Sequence, residues 1–310
     1  MHALRAILLI CAMLLVGMPA GSGRAAAQGL RVVTTTSDLA DIARAIGGNR
    51  VEVRALAPPQ QDPHFVEARP SLVLELRNAD LFAQIGLDLE VGWAPLLVEQ
   101  SRNSRIQRGR PGHLDLSMFV AILDVPAGRV TRAEGDVHPG GNPHYWLSPA
   151  NGRRIGAAFA RRLTEMDPDG AALYQRNLND FDARLQRAME GWSRLLEPFR
   201  GAPIVAYHAS FRYLLDFAGL SATGFIEPLP GIPPSPRHLA ELIDTMNRAR
   251  VGVILMETFY DRRVPTTVAE RTGARLLVVP SSVGATAEVG GYVELIDHLI
   301  RNLVDALRRP

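Results

Sequence analysis

Hydrophobic positions along this chain recur at two spacings, and the switches between them mark a repeated strand–helix rhythm. Residues 30–36 (LRVVTTT) are β-branched and read as a strand; Ser37 or Asp38 is placed to cap a following helix. In that helix Leu39, Ile42, Ala43 and Ile46 share one face, and Gly47 and Gly48 end it. Residues 51–56 alternate like a second strand and stop at Pro58 and Pro59. A helix over 70–78, a short strand over 80–85 and a helix over 93–101 complete a β-α-β-α series, the signature of a small parallel sheet covered by helices. Between Asp115 and Gly141 the pattern weakens into a glycine- and proline-bearing loop or a pair of irregular strands.

Helical spacing resumes at Pro149 and runs to about Met166. Pro168 resets it, and residues 170–196 contain no proline while Tyr174, Leu178, Phe181, Leu185, Met189 and Trp192 form an apolar face. A helix of that length spans about 40 Å and reads as a strut; a coiled-coil dimer is the rival, against which the apolar positions sustain no clean heptad. The second half repeats the rhythm, with strands over 203–208, 251–256 and 275–279 and helices over 211–217, 236–249, 261–272 and 289–307. The run Val253-Ile-Leu-Met256 fits a sheet covered on both faces. The predicted class is α/β, two lobes with sheet cores joined by one long helix. The divisions are 1–27, 28–168, 169–198 and 199–310, the first a targeting segment.

That first segment has an early Arg5, an apolar stretch from Ala6 to Met18 and a small-residue cleavage site at 25–27. The apolar stretch is short for a membrane span. Cys11, the only cysteine, lies within it, so the mature chain has neither disulfides nor thiolate ligands. Arg5 and Arg24 account for the formal charge of +2, so the mature chain is close to neutral and gives no electrostatic reason to expect nucleic acid. All other basic side chains are arginine too; there is no lysine.

The candidate chemistry lies in three histidines. His64 follows Asp62 and Pro63 just beyond a strand, where ligand sites of open α/β sheets are found. Asp62 is placed to bind a metal or to orient the ring of a ligating histidine; a surface turn is the alternative. His144 follows Asn142 and Pro143 and precedes Tyr145, Trp146 and Leu147, which either wall a site or simply pack around the ring. His208 leaves an apolar strand, where an unpaired polar ring is costly. Glu257 ends the strand 253–256, as a fourth ligand, a helix cap or a partner for a nearby arginine. Three imidazoles and a carboxylate match the donor preference and four-coordination of Zn²⁺. His138, in a glycine-rich stretch, reads as solvent-exposed, with transient capture of metal as the alternative, and His113, His238 and His298 read as surface or packing residues. The chain has no nucleophile elbow, HExxH helix, phosphate-binding loop or dinucleotide turn at the first strand.

From about Leu30 to Leu307 the chain resembles the zinc/manganese-type periplasmic solute-binding proteins, receptors of metal-uptake ABC transporters. The resemblance rests on Asp62-Pro63-His64, residues 141–147 with Pro149, the strand end 207–213, and residues 231–236. It implies two pseudo-symmetric lobes bridged by a rigid helix, a metal in the cleft, and ligands at His64, His144 and His208. It also implies a periplasmic location, a monomeric mature chain, and an inner-membrane permease with its cytoplasmic ATPase as partner. Histidine at the third position is associated with zinc-type members, so Zn²⁺ is expected ahead of Mn²⁺. The aspartate that family members carry late in the chain falls on Val279, which cannot ligate. Either Glu257 enters the site, or water completes it, within hydrogen-bonding reach of Ser281 and Ser282. Two other classes remain open: a zinc-dependent hydrolase with a three-histidine site, and an adhesin or metal-delivery protein.

Overall fold

The computed structural model describes residues 29–128, 138–228 and 231–308. The leader expected over 1–27, with Cys11, lies outside these residues. In the N-terminal lobe, strands β1 (Leu30–Thr34), β2 (Val51–Ala55), β3 (Leu81–Gln84) and β4 (His113–Asp115) form a sheet of order β2-β1-β3-β4. In the C-terminal lobe, β5 (Pro203–Ala206), β6 (Ser221–Phe225), β7 (Val253–Glu257) and β8 (Arg275–Val279) form a sheet of order β6-β5-β7-β8. Every pairing is parallel. The two orders are the same topology run twice. In each lobe the first strand lies inside the sheet, its successors fall on opposite sides of it, and a crevice opens beyond the strand ends.

The helices are α1 (Ser37–Gly47), α2 (Pro70–Arg77), α3 (Ala94–Ser101), α4 (Pro149–Met166), α5 (Ala171–Leu196), α6 (Arg212–Ala218), α7 (Pro236–Ala249), α8 (Arg263–Thr272) and α9 (Tyr292–Arg308). The 26 residues of α5 give the strut a length of about 39 Å. Its buried face, with Tyr174, Phe181, Leu185 and Trp192, packs against α4, α1 and α9. These helices join the inner faces of both sheets in one continuous core that holds Val32 and Leu81 from one lobe and Ile204 and Leu255 from the other. Each sheet also has a core of its own on the outer face, around Trp93 and Phe82 in the first lobe and around Ile254 and Met246 in the second. Double coverage explains why all five residues of β7 are buried.

The expected class and strut are found, with local differences. Thr36, rather than Ser37 or Asp38, caps α1: its hydroxyl accepts from Leu39 N–H at 3.4 Å. Asp38 turns instead toward the other lobe, where it accepts from Val283 N–H at 2.9 Å. The edge strands β4 and β6 were not anticipated. β4 has only three residues, and β6 reads Ser-Ala-Thr-Gly-Phe, with no alternation and a register shift where it meets β5 between Ile204 and Val205. The stretch from 115 to 141 contains a short 3-10 turn at Leu116–Phe119 and otherwise irregular chain among its described residues.

Candidate metal centre

The three histidines arrive by different routes. His64 lies in the loop between β2 and α2. His144 immediately precedes the 3-10 turn Tyr145–Leu147 that leads into α4. His208 follows β5, the inner strand of the second sheet. The fold buries all three, with exposures of 8%, 3% and 2%. One donor atom from each lies within 4.8 Å of the others. Ring centroids are 5.1 Å apart for His64–His144, 5.1 Å for His144–His208 and 5.7 Å for His64–His208. Two of these rings come from the first lobe and one from the second, so the cluster exists only when the lobes are apposed.

A ring nitrogen binds a cation only through a free lone pair, and each ring has its Nδ1 already engaged. Asp62 Oδ1 lies 2.7 Å from His64 Nδ1 and also accepts from the His64 backbone N–H at 2.9 Å. Asn142 Oδ1 repeats the arrangement at His144, at 2.9 Å from the ring and 3.0 Å from the backbone N–H. Glu227 Oε2 lies 3.1 Å from His208 Nδ1. An oxygen acceptor at Nδ1 fixes the proton there and leaves Nε2 as the donor to a metal. Sequence reasoning singled out Asp62 but missed Asn142 and Glu227. Asn142 had a signal, since Asx-Pro-His occurs at both 62–64 and 142–144. Glu227, nineteen residues beyond His208, had none.

The backbone around His144 is held tightly. Gly141 has φ +106°, and a Cβ there would meet the Ile122 side chain at 2.4 Å and the Leu123 carbonyl at 2.9 Å. Asn142 spans the lobes: its amide donates to the Ala209 carbonyl at 2.9 Å, and its own carbonyl accepts from the Tyr213 hydroxyl at 2.7 Å. Tyr260 of the second lobe likewise donates to Asp62 Oδ2 at 3.0 Å. A cavity of about 270 Å³ reaches His138, His144 and His208 from outside.

Electrostatics favour a neutral ring at His144. Burial, reinforced by neighbouring His64, His208 and His138, holds His144 well below the usual histidine value. Burial alone would push the Asp62 carboxyl up, but the hydrogen bond and charge of His64 keep it below its usual value. Asp62 is thus an anion behind the His64 ring.

Glu257 occupies the end of β7 as expected, yet it is fully buried and is not among the residues whose donor atoms share the 4.8 Å cluster. Desolvation pushes its carboxyl up to about 8, opposed in part by the Ser210 side chain, and neither oxygen has a hydrogen bond of good geometry. Val279 is its register partner on β8. His138 corrects the sequence reading. Expected to be exposed, it is only partly accessible, and its Nε2 lies 3.2 Å from His64 Nε2. His238 caps its own lobe by bonding the Phe225 carbonyl at 2.9 Å, away from the cluster.

Residues 32–306 match the family described as zinc-uptake complex component A, periplasmic. The metal ABC transporter substrate-binding lipoprotein SloC of Streptococcus mutans is 27% identical over 277 residues, 88% of this chain and 87% of the relative. The manganese ABC transporter substrate-binding lipoprotein PsaA of Streptococcus pneumoniae (strain TIGR4) is 26% identical and covers 98% of this chain and 97% of its own length. The crystal structure of ZnuA superposes with a TM-score of 0.73 at 22% identity, over 90% of this chain and 99% of that one.

Proposed function

The chain belongs to the periplasmic zinc-uptake component A family, and we propose that within it this protein captures Zn²⁺ in preference to Mn²⁺, through His64, His144 and His208. It is a periplasmic solute-binding protein that takes up a divalent transition metal for an ABC transporter, and members of its family are non-catalytic. The hydrolase alternative therefore falls away. The partners that this function implies are an inner-membrane permease and its ATPase.

The observation that carries the zinc reading is the donor set. Three imidazoles, each with its Nδ1 engaged, offer three nitrogens within 4.8 Å of one another. Imidazole suits Zn²⁺, whereas Mn²⁺ favours carboxylate, carbonyl and water oxygens. Asp62 and Glu227 stand behind two of the rings and offset the double charge of the ion without entering its coordination sphere. Metal enters through the cavity beside His144 and His208, exchanges water for imidazole, and draws together rings carried by both lobes. In this reading the mature chain works as a monomer. Glu257 serves as a buried neutral carboxyl beside Val279 rather than as the fourth ligand anticipated from its place at the strand end.

Chelator-competition titrations of His144→Ala and His208→Ala test this reading. Each variant is expected to bind zinc at least about tenfold more weakly while its far-ultraviolet dichroism is preserved. Unchanged affinity in either would remove that ring from the site.

A further inference from the structure

The capture reading leaves a buried carboxylate of the first lobe without a task. Glu90, in the loop between β3 and α3, is only 3% exposed. Its Oε1 accepts from the Thr35 hydroxyl at 2.6 Å and from Ile85 N–H at 2.8 Å, and its Oε2 accepts from Gly86 N–H at 3.0 Å. Burying a carboxylate is costly. One that meets two successive peptide N–H groups is a restraint on the backbone that carries them.

That backbone is unusual. Gly86, Leu87 and Asp88 are left-handed in succession, with φ +78°, +53° and +62°. Glycine takes this region freely, whereas leucine and aspartate are strained there. Such a conformation persists only where its surroundings over-determine it. A cavity of about 280 Å³ adjoins all three residues, so packing does not enclose the turn on that side, and the Glu90 carboxylate supplies the restraint.

Both flanks of His144 rest on this turn. On the C-terminal flank the Tyr145 hydroxyl donates to the Ile85 carbonyl at 2.5 Å. On the N-terminal flank Leu87 lies against Gly140, where a Cβ would meet the leucine Cδ2 at 2.7 Å. Residues 85 and 87, on either side of Gly86, thus touch the 140–145 segment at its two ends.

We propose that Glu90 is a positioning residue for metal capture: by holding the left-handed turn at the end of β3 it seats the 140–145 segment and so places His144 in the cluster. The inference rests on the three-histidine reading above and adds a residue that acts through the backbone, not on the metal.

Chelator competition with zinc, the visible absorption of the Co²⁺-loaded chain and urea unfolding of the metal-free chain test the assignment. Glu90→Gln leaves a single acceptor oxygen for three donors. It should bind zinc about tenfold more weakly with its far-ultraviolet dichroism preserved, and should alter the cobalt spectrum, which reads the geometry of the donor set. Asp88→Gly in that background relieves the exposed left-handed position and should restore most of the zinc affinity; a role in stability alone would restore the urea midpoint and not the affinity. Trp192→Phe, which loses the bond to Asp297 between α5 and α9, should lower the midpoint with zinc affinity unchanged. Wild-type affinity and cobalt spectrum in Glu90→Gln would overturn the role of Glu90 while leaving the three rings in place, and so would a zinc loss that Trp192→Phe reproduces. If Glu90→Gln does not fold, Tyr145→Phe, which cuts only the link to Ile85, decides: weaker zinc binding is expected, and unchanged affinity would overturn the proposal. A wild-type chain that binds no zinc would overturn the three-histidine reading as well.

Discussion

Each ring of the cluster has an oxygen acceptor at its Nδ1, and the residues that supply it differ in how local they are. Asp62 and Asn142 sit two residues before their histidines and grip both backbone and ring, so a three-residue stretch sets the tautomer. Glu227 acts on His208 from a separate loop and also accepts from Gly231 N–H at 2.7 Å. Replacing Glu227 by Gln keeps an acceptor in place but removes the charge that offsets the metal. Zinc affinity should fall by about tenfold, and Glu227→Ala, which also frees the ring, should cost more. Chelator competition reads both, and equal affinities for the two variants and the wild type would show that His208 needs no such partner. The three clustered histidines were legible because each sits in a short motif at the end of an element. Glu227 was not, since only the packing of β6 beside β5 brings it to His208. His138 was misread because glycine and proline around it look like exposed loop, whereas the turn to Gly141 folds the ring inward.

Helix α1 and helix α9 illustrate how elements of one lobe hold the other. Asp38, in the first turn of α1, is fully buried against Val283, and burial pushes its carboxyl up to about 7. Its folded value exceeds the unfolded 3.8, so its contribution to stability is complete below 3.8 and is lost as pH rises through about 7. Glu90, also pushed up to about 7 by burial, acts in the same sense. Asp38→Asn keeps the acceptor for Val283 but no longer titrates. Urea unfolding of the metal-free chain at pH 6 and pH 8.5 should therefore show a smaller loss in the variant, by about 1.4 kcal/mol. Parallel losses would contradict a neutral Asp38. At the start of α9, the buried Tyr292 hydroxyl donates to the Trp146 carbonyl at 2.6 Å, immediately after the His144 turn. Gly152 of α4 leaves the room, since a Cβ there would meet that hydroxyl at 2.4 Å. Tyr292→Phe should cost about 1–2 kcal/mol on urea unfolding; an unchanged midpoint would mean the carbonyl finds another partner. Long elements with many periodic positions, such as α4 and α5, could be read to within a residue. The edge strands could not, because three residues in β4 and a glycine-containing, register-shifted β6 carry little pattern of their own.

Across the whole molecule, the lobes are joined by more than the α5 strut. One apolar core runs through both, and Trp146 donates across to the Ser281 carbonyl at 3.0 Å, Asn142 to Ala209 and Tyr260 to Asp62. Such an interface permits small adjustments of side chains and loops on metal capture rather than a wide hinge movement. The paired topology could be anticipated from the repeated β-α rhythm, but the shared core could not, because sequence periodicity reports which face is apolar and not which lobe covers it. With the lobes held, selectivity falls to the donor atoms that converge between them, and these are imidazole nitrogens. The most direct test is calorimetric titration of the metal-stripped, monomeric mature chain with Zn²⁺ and, separately, Mn²⁺. The expected result is a single saturable zinc site and distinctly weaker manganese binding. Manganese bound as tightly as zinc, or no saturable binding of either ion, would contradict a zinc receptor built on His64, His144 and His208.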